Sequence, residues 1–165
     1  AGQEADPIPH NIDAEQQLLG AILTNNDIFD RVASFLQPEH FHDPVHARIY
    51  EVASAQIAKG RRASPVTVKT FLEDEPGLQE LGGAAYLARI GAAAIAAFAA
   101  RDYAQIIYDL AIRRELMSLG KDITAKAAKV AHANPNPHRN ASSHDISITS
   151  TLALALTLTP HPLLL

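Results

Sequence analysis

The sequence contains no cysteine and no tryptophan, and only 5% of its 165 residues are aromatic. The absence of cysteine excludes disulfide bonds, thiol catalysis and cysteine-based zinc sites. Much of the 47% hydrophobic content is alanine, so small side chains supply a large part of the apolar surface. This composition favours closely packed helices over a sheet built on β-branched and aromatic residues. We therefore predict an all-α fold.

The sequence also lacks an excess of positive charge. It has 14 lysines and arginines against 18 aspartates and glutamates, a net charge of −4. The basic surface that is typical of nucleic-acid-binding domains is therefore not expected, and we predict no direct DNA binding. The opening residues 1–6 are polar and acidic, unlike a signal peptide. These features predict a cytoplasmic protein with no membrane association.

A nucleotide-binding motif is missing as well. The pattern G-x-x-x-x-G-K-[ST], whose backbone amides and lysine hold nucleotide phosphates, does not occur in the chain. An ATP-driven motor needs that cradle, so we predict that this chain is not an enzyme and binds no cofactor. His40, His42 and His46 are closely spaced, but a helix starting at Pro44 would separate the last two, and we predict no metal site. The adjacent residues 142–145 (Ser-Ser-His-Asp) cannot adopt triad geometry, so we predict no catalytic residue.

Capping signals place several helices before residue 95. Asn11 or Asp13 precedes a helix over about 12–24, and Asp27 precedes a second helix with the apolar series Ile28, Val32, Phe35 and Leu36. The pairs Asp43-Pro44 and Ser64-Pro65 each combine an N-cap with proline at the first helical position. The helices that they start should run to about Lys59, before Gly60, and to near Glu73. We expect a break at 75–77, a turn around 78–81 and a short helix over 84–90. The predicted core residues are Ile12, Leu19, Ile22, Val32, Phe35, Phe41, Ile49, Val52 and Leu87.

The stretch from Phe98 to Lys129 has no proline and only one glycine. Its apolar residues recur every three or four positions on more than one face, which predicts a long helix contacted from more than one side. Such a helix favours protein–protein assembly over catalysis, although the longest helix of a bundle would show the same period.

Several segments, in this order and at this spacing, resemble the N-terminal domain of bacterial replicative DNA helicases, the DnaB family. The resemblance covers roughly residues 7–130. The matching segments are Pro9–Glu15, Leu18–Leu23, Phe35–Leu36, Pro38–Phe41, His46–Tyr50, Pro65–Val68, Leu81–Leu87 and Arg101–Tyr103.

The resemblance implies a small helical head followed by a hairpin of two long antiparallel helices. Residues 1–8 would be a flexible lead-in, residues 9–95 the head and residues 96–130 the first hairpin helix. The implied function is non-catalytic assembly and primase docking in the primosome during DNA replication. The implied partners are a second copy of the chain, as a dimer within a hexameric ring, then primase, with a helicase loader as a further candidate. From helical spacing, we predict packing between hairpins through Tyr103, Ile107, Leu110, Arg114 and Met117.

Residues 131–165 depart from the family pattern. The turn signal at 134–137 lies where the hairpin turn is expected, but Arg139 and Asp145 are the only charged residues that follow Lys129. Leucines at alternate positions from 152 to 158 have strand period. This tail either has an origin unrelated to the family or is held as the second arm by tertiary contacts, and its composition favours an unrelated origin.

The sequence leaves one alternative of a different functional class. The chain would then be a stand-alone helical nucleic-acid-binding or regulatory module. It would use the basic pairs at 61–62 and 113–114. The two pairs are far apart in the chain, and no aromatic residue is interleaved with them, which weakens this alternative.

Overall fold

A computed structural model describes residues 7–93 and 97–133, and every regular element in those ranges is a helix. The prediction of an all-α fold is therefore confirmed for the described residues. Short 3₁₀ helices lie at Pro38–His40 and Ala97–Ala99. The α-helices are α1 (Ile12–Thr24), α2 (Asp27–Val32), α3 (Pro44–Ala58), α4 (Pro65–Lys69), α5 (Pro76–Glu80), α6 (Ala84–Ala93) and α7 (Ala100–Ala133). Within the described ranges, none of them is long and apolar enough to cross a membrane.

Three of the predicted N-caps are confirmed, whereas Asp27, predicted to cap α2, is instead the first residue of that helix. The Asn11 side chain accepts a hydrogen bond from the Ala14 amide (2.9 Å) at the start of α1. The Asp43 carboxylate accepts from the Val45 amide (2.8 Å) at the start of α3, where Pro44 is the first helical residue. Ser64 caps α4 in the same way, again with proline following it. Each cap satisfies an amide that the helix itself leaves without a partner.

Three of the predicted boundaries are wrong. Helix α2 ends at Val32 and not beyond Leu36, because irregular turns replace the helix there. Helix α4 ends at Lys69, short of Glu73. The expected break and turn over residues 75–81 contain helix α5, since proline at the first helical position starts a helix as readily as it ends one.

The core lies where α1 packs against α3 and α6, and α6 also packs against α4. Most of the predicted core residues are buried there: Leu19, Ile22, Val32, Phe41, Ile49, Val52 and Leu87. Ile12 and Phe35 are half-buried, so their assignment to the core was only partly right. Phe35 packs against the edge of the core. We refer to α1–α6 and their connections as the head.

Helix α7 is the long helix expected after the head. In its first part Ala100, Ala104, Ile107 and Ala111 are buried, whereas every residue from 118 to 130 is exposed. The described residues up to Ile123 belong to one compact unit, and those from Thr124 onward belong to a second. The first six residues of the predicted lead-in, and the tail beyond residue 133 with its turn signal and residues 142–145, lie outside the described residues. The predicted domain limits stay a prediction.

Candidate assembly and docking surface

A buried polar network joins three helices of the head. Oε2 of Glu15, on α1, lies 2.7 Å from Nδ1 of His46, on α3. Nε2 of the same imidazole makes a short hydrogen bond with the hydroxyl of Tyr86, on α6. All three residues are at most 2% exposed. The Glu15 carboxylate also accepts from the backbone amides of His42 (2.6 Å) and Asp43 (3.3 Å) just before α3.

One arrangement of protons satisfies this network. Burial raises the pKa of Tyr86, so the phenol keeps its proton and can donate it to Nε2 of His46. Nδ1–H of His46 then donates to Glu15, and Nε2 of Gln16 donates to the Tyr86 oxygen (3.2 Å). Both oxygens of the buried Glu15 carboxyl group accept hydrogen bonds, as a polar group removed from water requires. The network therefore joins α1, α3 and α6 through side-chain hydrogen bonds.

Sequence reasoning missed this network. Apart from the family resemblance, His46 was considered only as a candidate metal ligand, and Glu15 was given no role. The signal was present, because Glu15 falls on the apolar stripe of α1, three residues before Leu18 and four before Leu19. A carboxylate on an inward stripe needs a buried partner.

The remaining closely spaced histidines have other partners. His42 stacks on His10 with ring centroids 4.4 Å apart, and His40 meets Tyr108 edge-on at 5.0 Å. The three histidines considered for a metal site thus make three separate contacts. No group of three metal-ligating side chains occurs within residues 7–93 and 97–133 that could hold an ion.

Helix α7 is held to the head through Arg114. One guanidinium nitrogen donates to the carbonyl oxygen of Pro9 (3.0 Å), and another donates to that of His40 (2.7 Å). Two shallow cavities flank this side chain, one of about 410 Å³ beside His40 and one of about 280 Å³ beside Ile8. Desolvation lowers the pKa of His40. The positive charge of Arg114 also lowers this pKa, while the negative charges of Glu39 and Glu115 partly offset the shift.

The five residues predicted to pack between hairpins lie on one side of α7, the side that borders the head. Ile107 is 2% exposed within the core of this chain, and Tyr103 is half-buried against that core. Arg114 makes the two contacts described above. Leu110 and Met117 are half-buried, and Met117 lines the cavity beside Ile8. For contact with a second chain, these five residues stay a prediction.

Large apolar side chains lie exposed on nearly the opposite face of α7. Leu116 is 62% exposed, Leu119 54% and Ile123 59%. Because an α-helix turns about 100° per residue, these three positions lie on one side of the helix, away from the head. We call Leu116, Leu119 and Ile123 the arm stripe. Exposed leucine and isoleucine at this spacing are typical of a face that another helix covers.

The two basic pairs differ in their surroundings. Arg61 and Arg62 are exposed beside a polar cavity at the start of α2. Arg113 is exposed, but Arg114 is engaged by backbone carbonyls of the head. The second pair therefore offers one arginine instead of two to a phosphate backbone.

The head, the anchored long helix and the arm stripe define a helical domain with an exposed apolar face. A sequence profile described as "DnaB-like helicase N terminal domain" matches residues 7–109. The chain therefore belongs to the family of DnaB-like helicase N-terminal domains, and the resemblance noted from its motifs is confirmed.

Relatives of this chain include replicative DNA helicases. It is 42% identical over 120 residues to the replicative DNA helicase DnaB of Rickettsia conorii. That alignment covers 73% of this chain and 24% of the relative. It is 30% identical over 119 residues to the DnaB of Treponema pallidum, covering 72% of this chain and 27% of that relative. The chain thus spans about a quarter of the length of these relatives.

Solved structures share the fold. The crystal structure of the N-terminal domain of DnaB helicase from Mycobacterium tuberculosis matches with a TM-score of 0.71 and 30% identity, over 76% of this chain and 89% of that one. A DnaB-like replicative helicase, whose structure is described together with its interactions with primase, matches with a TM-score of 0.61 over 90% of this chain and 36% of that one. That second match is 21% identical and supports the fold alone.

Proposed function

We propose that this chain is the non-catalytic assembly and primase-docking domain of a replicative DNA helicase, acting in the primosome during DNA replication. The observation that carries the proposal is the arm stripe on α7, in a chain of the DnaB-like N-terminal family. The proposal includes a cytoplasmic location and the absence of a cofactor, of direct DNA binding and of membrane binding. ATP hydrolysis would belong to another part of the helicase.

Self-association is the first part of this function. Full burial of a leucine or isoleucine side chain contributes about 1.5–3 kcal/mol, so three such residues on each of two copies would give a substantial driving force. A second copy of α7 fits the stripe, since helices pack through residues at this spacing. Dimers formed in this way would be the repeating unit of a hexameric ring.

Primase docking is the second part. It rests on membership of the DnaB-like N-terminal family, and a helicase of the same fold is described together with its interactions with primase. The buried network of Glu15, His46 and Tyr86 would support docking by holding the helices of the head in fixed positions. A helicase loader is a further proposed partner, on the basis of the family alone.

Light scattering coupled to size exclusion tests both parts together. The chain, the primase of the same genome and their mixture are run over a range of concentrations. The expected result is a chain mass above that of a monomer, and a mixture that elutes as one larger complex. A monomeric chain would contradict assembly, and separate elution at the highest concentrations would contradict docking.

The nucleic-acid module is separated from this proposal by a titration with duplex DNA. Phosphate contacts by lysine and arginine supply most non-specific binding, and a chain of net charge −4 has few to offer. We expect little binding at physiological salt. Sub-micromolar affinity with a steep dependence on salt would favour the module instead.

A further inference from the structure

We infer that Arg114 is a positioning residue, which sets the direction in which α7 leaves the head. Its guanidinium joins α7 to two segments that are far apart in the chain, the carbonyl of Pro9 before α1 and the carbonyl of His40 before α3. Both bonds come from one planar group with fixed donor directions. Because the two acceptors lie on different segments, these bonds tie α7 at Arg114 to two parts of the head.

Around Arg114 the apolar contacts between α7 and the head are small. Ala111 presents a single methyl group, and the larger packed side chains, Tyr103, Ile107 and Tyr108, lie in the turns before it. Contacts between small apolar groups bring helices close together but have little directional preference. The two hydrogen bonds of Arg114 add a directional contact just beyond this packing.

Arg114 also lies where the contact between α7 and the head ends. Ala111 is the last buried residue of α7 in the range up to Val130, and residues 118–130, beyond the half-buried Met117, are exposed. The arm stripe begins at Leu116, within one turn of Arg114. A small change of tilt at Arg114 would therefore move the whole stripe. The consequence for assembly rests on the proposed function, whereas the geometric role of Arg114 does not.

The neighbouring Arg113 provides a matched control. It carries the same charge on the same helix and is exposed. Arg113→Lys and Arg114→Lys both keep the positive charge and most of the side chain. A lysine at position 114 has a compact ammonium group in place of the fork and cannot hold both carbonyls with the same geometry.

The direction of α7 can be measured by spin labelling, because the chain has no cysteine of its own. Labels are attached through Ala55→Cys on α3 and Asp122→Cys on α7, both exposed positions. Labelled chain is mixed with an excess of unlabelled chain, so that double electron–electron resonance reports distances within one molecule. We expect one narrow distance distribution for the parent and for Arg113→Lys, and a shifted and broadened distribution for Arg114→Lys.

A distribution for Arg114→Lys that coincides with the parent would overturn the inference. Arg114→Gln, which keeps an amide donor but lacks the fork, is measured in parallel in case the lysine variant folds poorly, and circular dichroism checks that both are helical. The intramolecular distance is informative whether or not the chain self-associates. Failure of this inference is thus distinct from failure of the proposed function.

Discussion

The Glu15 carboxylate and the His46 imidazole are in contact at 2.7 Å, with Glu15 only 2% exposed and His46 fully buried. The contact joins α1 to α3, two helices that carry much of the core of the head. A buried polar contact in this position fixes how the two helices are placed against each other, because no water is available as an alternative hydrogen-bond partner.

Removing this carboxylate should destabilise the head strongly. Glu15→Ala leaves Nδ1 of His46 and the amides of His42 and Asp43 without their acceptor. Each buried donor that is left without an acceptor costs about 1–3 kcal/mol, so the total loss should be several kcal/mol. Urea denaturation followed by circular dichroism measures the free energy of unfolding.

The control for that variant is Glu51→Ala. Glu51 pairs with Arg48 at 2.6 Å, but both side chains are exposed. An exposed pair contributes about 0–1 kcal/mol. Equal losses for the two variants would show that the buried network does not stabilise the head.

The stability of the head should fall as the pH is lowered below the usual histidine range. Desolvation lowers the pKa of His40 from its ordinary value of 6.5. The unfolded chain then binds a proton at His40 more readily than the folded chain does, so acid favours unfolding. This contribution is absent above pH 6.5 and grows as the pH falls from there through the lowered pKa. Nδ1 of His40 also accepts the Gln37 amide (3.0 Å), a contact that protonation would remove.

The His40→Asn variant isolates that effect. Asparagine offers a side-chain oxygen to the Gln37 amide and does not titrate near neutral pH. Melting temperatures of the parent and the variant are compared between pH 7.5 and pH 5.5, a window chosen around the histidine range. The parent should lose more stability across the window than the variant. Parallel curves would show that His40 does not contribute to the pH dependence.

Truncating the centre of α1 should create a cavity. Leu19 is fully buried, so Leu19→Ala removes a packed side chain at a cost of about 2–5 kcal/mol. Leu81 is 37% exposed, and Leu81→Ala serves as the matched control with a much smaller expected loss. Chemical denaturation gives both values. A loss at Leu19 no larger than that at Leu81 would mean that α1 is misplaced.

The starts of the main helices could be predicted because their signals are local. Asn11, Asp43 and Ser64 each cap the helix that follows, as expected from a polar residue before an apolar run. Helix α5 was missed because proline followed by glycine was interpreted as a break. Gly77 has a packing reason, since a Cβ there would lie 2.6 Å from Cγ2 of Val45.

The face of α7 that meets the head could not be predicted from period alone. The helix carries apolar residues on two faces, and the sequence does not show which face is covered by its own chain. Alanines at 100, 104 and 111 contribute to the contact with the head, while Leu116, Leu119 and Ile123 stay exposed. Alanine is a weak signal of burial in a sequence this rich in it. The five residues chosen from helical spacing as interface residues therefore turned out to lie on the side of α7 that borders the head.

Sedimentation velocity on three versions of the chain tests most directly whether the arm stripe mediates assembly. Leu119→Asp places a charge in the stripe, and Ser118→Asp places the same charge on an exposed position next to it. Assembly through the stripe predicts reversible association of the parent and of Ser118→Asp, and a Kd at least about tenfold weaker for Leu119→Asp, equivalent to about 1.4 kcal/mol. A parent chain that stays monomeric, or a Leu119→Asp variant that associates as tightly as the parent, would contradict it.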